Sequence, residues 1–123
     1  GSYRGIICQR NVLGTAGTFA LLIDADTSNK LRFQVVTSGG NRSVIHQTAP
    51  IANTLYTFKA ARHGAYLRLW LNDVESTTPV YIGSETIPPA VTDITVGVVL
   101  GSLYYHTLGG RVDKLKIVKF TPA

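Results

Sequence analysis

The sequence has no methionine, one tryptophan and a single cysteine among its 123 residues. A lone cysteine excludes an intramolecular disulfide, and its apolar surroundings favour a buried structural thiol at Cys8 over a catalytic one. No apolar run reaches the roughly 18–20 residues that a membrane helix needs, so we expect no membrane insertion. The missing methionine and the opening Gly1-Ser2 indicate a segment taken from a longer polypeptide.

Acidic residues are also scarce, since seven Asp and Glu stand against twelve Lys and Arg, for a formal net charge of +5. A modest positive charge favours acidic partners, among them sulfated or carboxylated glycans. The basic residues are spread along the chain, with one local density between Arg111 and Lys119. Because the basic residues are spread out, the simpler interpretation is that they form an ordinary soluble surface. We do not expect nucleic acid as the partner.

The sequence has no helix-period segment of useful length. Short strand-like runs alternate instead with turn residues, which is typical of an all-β domain. The predicted strands are Arg4–Arg10, Thr18–Asp24, Leu31–Thr37, Arg42–Thr48, Leu55–Ala61, Ala65–Leu71, Pro79–Gly83, Ala90–Leu100 and Arg111–Phe120. Gly101–Gly110 is predicted to be a loop. We expect one antiparallel β-sandwich or jelly roll over residues 1–123.

One predicted strand, 65–71, alternates leucines with aromatic and basic residues. Successive side chains of a strand point to opposite faces, so one set is buried and the other is not. Leu67, Leu69 and Leu71 form the predicted core face, and Tyr66, Arg68 and Trp70 form the other face. Two aromatic residues and an arginine are an unusual choice for a face that meets only water.

Two groups of motifs in the chain have a counterpart in a known family. The first group comprises Leu55–Ala60, Arg62-His63-Gly64 and Leu67–Asp73, and the second comprises Thr95-Val96-Gly97, Tyr104-Tyr105 and Gly109–Ile117. In this order they resemble the laminin G-like, concanavalin A-like jelly roll. Leucine at Leu55 and histidine at His63 depart from the usual tryptophan and aspartate, and the first strand of the family is missing.

This resemblance implies a non-catalytic recognition module, lectin-like and carbohydrate-binding, within a larger cell-surface or virion protein. An extracellular, surface or virion location follows from the same resemblance. A fold does not fix a function, however. The alternative is a structural or assembly module, such as a phage decoration, tail or coat component, whose outer face contacts another protein subunit.

The residues needed for catalysis are sparse. Glycosidases on this fold use closely spaced carboxylates on one strand, whereas the only glutamates, Glu75 and Glu85, lie in loop-like segments. His46, His63 and His106 lack the spacing of a zinc motif, so we expect hydrogen-bonded or solvated histidines. We therefore expect no enzymatic activity.

Aromatic and basic residues supply the candidate binding site. Sugars present flat C–H faces to aromatic rings, and arginine pairs with carboxylate or sulfate. The candidate ligand-binding residues are Tyr66, Arg68, Trp70, Arg32, Tyr104, Tyr105 and His106. Ligand binding, burial against the parent chain or a partner, and an ordinary surface all remain open for this face.

Calcium is a further property of many proteins with this fold. The turn carboxylates that could serve are Asp24, Asp26 and Asp73. Calcium takes six to eight oxygens and usually several carboxylates, whereas an aspartate in a turn commonly bonds its own backbone. We therefore expect these residues to be turn formers, without a bound metal.

Overall fold

The computed structural model describes residues 3–9, 17–24, 27–51, 54–87, 94–96, 98–100 and 105–107. These residues form antiparallel strands and their connections, with no α-helix among them. No helix within this part of the chain is long and apolar enough to cross a membrane. The predicted final strand, Arg111–Phe120, lies outside the described residues.

The strands follow the predicted succession closely. They are β1 (Tyr3–Gln9), β2 (Phe19–Asp24), β3 (Lys30–Thr37), β4 (Gly40–Ile45), β5 (Phe58–His63), β6 (Tyr66–Leu71), β7 (Val74–Glu75), β8 (Val80–Tyr81), β9 (Ile94–Val96), β10 (Val98–Leu100) and β11 (Tyr105–Thr107). The first sheet has the order β4-β3-β2-β1-β9, and β10 pairs with β11 in a small separate sheet. In the second sheet β5 pairs with β6, and β6 pairs with both β7 and β8.

Tight turns fix the register of the hairpins. The pairing of Thr37 with Gly40 leaves Ser38-Gly39 as the turn between β3 and β4. Between β5 and β6 the chain reverses at Gly64-Ala65, where Gly64 has φ +60°. Asn72 and Asp73, with φ of 49° and 64°, form the turn between β6 and β7. Positive φ at both central residues matches the twist of a hairpin, and Asn and Asp tolerate it better than most residues.

The two larger sheets share one core, an arrangement compatible with a β-sandwich. Its buried members are Leu21, Leu31, Val35 and Val44 from the first sheet, Leu67, Leu69 and Leu71 from the second, and Ile82 after β8. The three leucines of β6 are 0%, 0% and 4% exposed, which confirms the alternation predicted for this strand. The opposite set of β6 side chains therefore points away from the core.

Two predicted segments were wrong, and one strand was missed. Ala90–Leu100 contains two strands with different partners, since β9 pairs with β1 and β10 with β11. The predicted loop 101–110 contains strand β11, and the two-residue strand β7 was not predicted. Strands of two or three residues are too short to produce a detectable alternation, so only their partners reveal them.

Residues 82–87 tie the two larger sheets together at one end. The Ile82 amide donates to the Ala65 carbonyl of the β5–β6 turn at 2.7 Å. The Ser38 amide, in the β3–β4 turn, donates to the Thr86 carbonyl at 2.8 Å, and the Thr86 amide donates back to Ser38 Oγ. This segment therefore holds the turns of both sheets in a fixed relation.

Candidate functional site

The outer face of the second sheet carries a cluster of aromatic and charged side chains, which we call the aromatic face. Cross-strand partners share a face of a sheet, so the registers place its members in rows. One row is Lys59, Trp70 and Glu75, the middle row is Ala61 and Arg68, and the last row is His63, Tyr66 and Tyr81.

Two tyrosines form the exposed end of the aromatic face. The rings of Tyr66 and Tyr81 meet edge to face, with their centres 5.4 Å apart and an interplanar angle of 66°. Tyr81 is 67% exposed and Tyr66 is 38% exposed. A β-carbon added at Gly83 would lie 3.2 Å from the Tyr81 hydroxyl, so the ring lies close to a backbone that carries no side chain. This pair leaves flat aromatic surface in water.

Trp70 is less accessible than the sequence predicts. The Lys59 ammonium lies 4.5 Å from the centre of the Trp70 ring, within the range of a cation–π contact. Trp70 is half-buried and is paired in register with Glu75 on its other side. Part of the indole surface is therefore already in contact with the protein, and the tyrosines are the more exposed aromatic residues.

Arg68 occupies the middle of the aromatic face. Its Nη1 donates to Glu75 Oε2 at 2.9 Å, and its guanidinium carbon lies 5.2 Å from the centre of the Tyr66 ring. The Nε atom is buried and has no hydrogen-bond partner. The ion pair and the ring contact hold the guanidinium in place and leave it with unused donor capacity, since arginine carries five N–H donors.

Arg32 does not join this cluster. It lies on β3 between the core residues of that strand, so its side chain points away from the second sheet. Its Nη1 donates to Asp24 Oδ2 at 2.8 Å, and its Nε and Nη2 donate to Ser43 Oγ. Both sheets therefore separate Arg32 from Arg68, and a single small ligand cannot contact both.

The predicted ligand-binding residues Tyr104, Tyr105 and His106 are described only in part. Tyr104 lies outside the described residues, while Tyr105 and His106 belong to β11, where they pair with Leu100 and Val99 of β10. Cα atoms of β10 and β11 lie within 8 Å of β1, a strand of the first sheet. Of the predicted site residues, the structure brings together Tyr66, Arg68 and Trp70.

The two described carboxylates of the predicted calcium site, Asp24 and Asp73, belong to different sheets. Asp24 is fully buried beside Arg32, Asp73 lies in the exposed turn after β6, and Asp26 lies outside the described residues. In the described part of the chain, no group of three His, Cys, Asp or Glu side chains could hold a metal ion. A guanidinium already occupies the position beside Asp24 that a cation would take.

Both glutamates are paired with arginines. Arg42 holds Glu85 through two hydrogen bonds, Nε to Oε1 at 3.0 Å and Nη2 to Oε2 at 2.8 Å, and Thr37 donates to the same carboxylate. The hydrogen bonds from Arg42, followed by that from Thr37, hold the pKa of Glu85 below its ordinary value. Glu75 pairs with Arg68. Both carboxylates are therefore arranged as partners of a positive charge.

His46 is a hydrogen-bonded histidine, as predicted. It is 1% exposed, its Nδ1 accepts from the Thr48 amide at 3.0 Å, and its Nε2 lies 2.9 Å from the Val74 carbonyl. Because a backbone amide can only donate, this network assigns the proton to Nε2. The side chain thereby joins the end of the first sheet to β7.

Lys59, Glu75 and Tyr81 belong to the aromatic face but were not predicted. Tyr81 arrives there because β8 pairs with β6, with Tyr81 opposite Tyr66. A two-residue strand gives no periodic signal for that pairing. Lys59 had a usable signal, since an antiparallel hairpin closing at Gly64-Ala65 places it opposite Trp70.

In comparisons with known proteins, the chain matches no family model, no curated protein and no solved structure. The resemblance to laminin G-like domains therefore rests on the sequence motifs.

Proposed function

We propose that the chain is a non-catalytic recognition module that binds carbohydrate through the aromatic face. The observation that carries this proposal is the exposed tyrosine pair, Tyr66 and Tyr81, beside a fixed guanidinium. The module belongs to a larger cell-surface or virion protein, and its fold is a laminin G-like, concanavalin A-like jelly roll. The sequence motifs and the two facing antiparallel sheets support that assignment of fold.

The composition of the aromatic face suits a sugar. An exposed tyrosine offers an apolar ring for the C–H surface of a pyranose and a hydroxyl that donates and accepts hydrogen bonds. Arg68, Lys59 and Glu75 lie around the rings and provide charged donors and acceptors. Their positions are set by the strand registers, so little ordering is needed when a ligand binds.

The pairing of the glutamates supports a role without catalysis. Retaining glycosidases need two carboxyl groups about 5–5.5 Å apart, one of them able to act as an acid. Glu75 is paired with Arg68, and Glu85 is held by Arg42 and Thr37. The low pKa of Glu85 keeps it ionised, which is the opposite of what a general acid requires.

A glycan array followed by titration calorimetry tests the proposal. We expect at least one oligosaccharide to bind, and Tyr66→Ala to weaken its binding by about 1–2 kcal/mol, the cost of a typical hot-spot residue. Gln34→Ala is the matched control, because Gln34 lies on the outward side of the first sheet. Absence of any glycan ligand, or equal losses in both variants, would contradict the proposal.

An assembly module is the second candidate, and the types of residue on the aromatic face favour it. Tyrosine, tryptophan and arginine dominate protein–protein hot spots, and Tyr81 leaves a large apolar ring in water. Assembly predicts concentration-dependent self-association and no glycan ligand. Size-exclusion chromatography of the wild type and Tyr81→Ser separates the two candidates, since only assembly makes the oligomer depend on Tyr81.

A further inference from the structure

The aromatic face has a low point at Ala61. Ala61 is opposite Arg68, its same-face neighbours along β5 are two residues away on either side, and its diagonal neighbours are on β6. In an antiparallel pair, opposite β-carbons lie about 4.5–5.5 Å apart and diagonal ones about 7–8 Å apart. The residues around this low point are Lys59, His63, Tyr66, Arg68 and Trp70. A methyl group thus lies at the centre of five larger side chains.

The contacts of the surrounding residues keep the low point open. Arg68 turns toward Glu75 on β7, the strand on the far side of β6 from β5. Lys59 lies over the Trp70 ring, at one end of the depression. Tyr66 is in contact with Tyr81 of β8, also on the far side of β6. These contacts draw the larger side chains toward β7, β8 and the Trp70 ring, and Ala61 stays partly exposed.

The charged groups at the low point have donor capacity in excess of their partners. Arg68 forms one ion pair, and its buried Nε has no acceptor. Within the residues that the structure describes, Lys59 has no carboxylate partner, and its contact is the Trp70 ring. The buried Nε is out of reach of a ligand, whereas the remaining Nη protons of Arg68 and the Lys59 ammonium are charged donors, which bind anionic oxygens more strongly than neutral donors do. An anionic group at this point would lie between the two cations.

We infer that Ala61, Lys59 and Arg68 form a subsite for one acidic group of the ligand, a carboxylate or a sulfate on a sugar. This inference rests on the proposed carbohydrate recognition and adds the charge of the ligand and the place where that charge binds. The neighbouring tyrosine rings favour a sugar over an acidic peptide, because they offer flat apolar surface beside the cations. The small side chain at position 61 determines the specificity, since a larger residue would fill the subsite.

Matched pairs of oligosaccharides test the charge requirement. Oligogalacturonate against its methyl ester isolates the carboxylate, and a chondroitin sulfate oligosaccharide against its desulfated form isolates the sulfate. We expect one charged member to bind at least about tenfold more tightly than its neutral counterpart, a difference that shrinks in high salt through screening. Lys59→Gln should remove most of this preference, whereas Lys30→Gln, the same charge change on the first sheet, should leave it intact.

A steric variant tests whether the acidic group binds at Ala61. Ala61→Leu should lower the affinity for the charged member by about tenfold or more, because the added carbons occupy the subsite. Its thermal unfolding is measured in parallel, and Lys59→Gln gives an independent readout if Ala61→Leu does not fold. Equal binding of charged and neutral sugars would overturn the inference and leave the proposed function standing, whereas no sugar binding at all would overturn both. Equal binding of poly-glutamate would show an acidic peptide to be the ligand and would overturn the assignment to a sugar.

Discussion

Arg68 and Glu75 form an ion pair across the outer face of the second sheet, with Nη1 and Oε2 2.9 Å apart. The two residues are not paired in register, since Glu75 is opposite Trp70. The arginine therefore reaches diagonally to the neighbouring strand, over a distance that its long side chain can span. In this position it stays close to the Tyr66 ring.

We predict that this ion pair orients Arg68 and contributes little to stability. The two side chains are 26% and 36% exposed, and exposed pairs typically contribute about 0.2–1 kcal/mol. A double-mutant cycle with Arg68→Ala and Glu75→Ala, measured by urea unfolding, should give a coupling in that range. A coupling several times larger would mean that the pair holds the sheet together.

Leu69→Ala should destabilise the protein strongly, by about 2–5 kcal/mol, because it removes a fully buried side chain and leaves a cavity. Arg68→Ala, one residue away on the opposite face, is the matched control and should cost about 1 kcal/mol or less. Chemical denaturation measures both. If the arginine variant is the more damaging one, the register of β6 is shifted by one residue and every facing assignment reverses.

The predictability of this fold depended on strand length. β3 and β6 were predicted from a clear alternation over six or more residues, and in β6 the alternation also identified the buried leucines, whereas β2 was predicted from a short apolar run. β7 and β11 have two and three residues, and their pairing arises from contacts with distant parts of the chain. Such contacts leave no local pattern in the sequence.

The candidate site was predicted in outline because β6 is long enough to show a clear alternation. The alternation placed Tyr66, Arg68 and Trp70 on one face, but it could not reveal that Lys59 covers part of Trp70 or that Tyr81 joins Tyr66. Arg32 was predicted to be a ligand residue because it faces outward from its strand. Its pairing with Asp24 depends on how β2 and β3 align, which the composition of either strand does not specify.

Stability should fall at acid pH through Glu85. Its pKa is lower in the folded protein than in the unfolded chain, because Arg42 and Thr37 bond the ionised carboxylate. The carboxylate therefore contributes stability that is fully present above its ordinary pKa, and this contribution is lost as pH falls through the lower folded value. Urea unfolding should show that the wild type has a higher free energy of unfolding than Glu85→Gln at pH 7, and that this difference disappears as the pH is lowered to 2. A difference that does not change with pH would contradict this account.

Gly39→Ala should remove the same pH dependence. A β-carbon at Gly39 would lie 2.6 Å from Glu85 Cδ and 2.7 Å from Arg42 Nη2, so the two charged side chains must shift, which we expect to disrupt their paired hydrogen bonds. Gly64→Ala is the control, since no atom lies within 4 Å of its added β-carbon. Because Gly64 has φ +60°, Gly64→Ala should lower the free energy of unfolding by about 1–2 kcal/mol at every pH. It should keep the pH dependence that comes from Glu85. Equal pH profiles for Gly39→Ala and the wild type would show that the ion pair adapts.

The most direct test of the aromatic face is calorimetric titration of the strongest oligosaccharide from the array into the wild type and Tyr81→Ala. Tyr81 is the most exposed of its aromatic residues and lies outside the core, so its removal should leave the fold intact. We predict that Tyr81→Ala weakens binding by about 1–2 kcal/mol and lowers the free energy of unfolding by no more than about 1.5 kcal/mol, the contribution of its contact with Tyr66, while Gln34→Ala binds as the wild type does. Unchanged affinity in Tyr81→Ala would contradict the claim that this face is the binding surface.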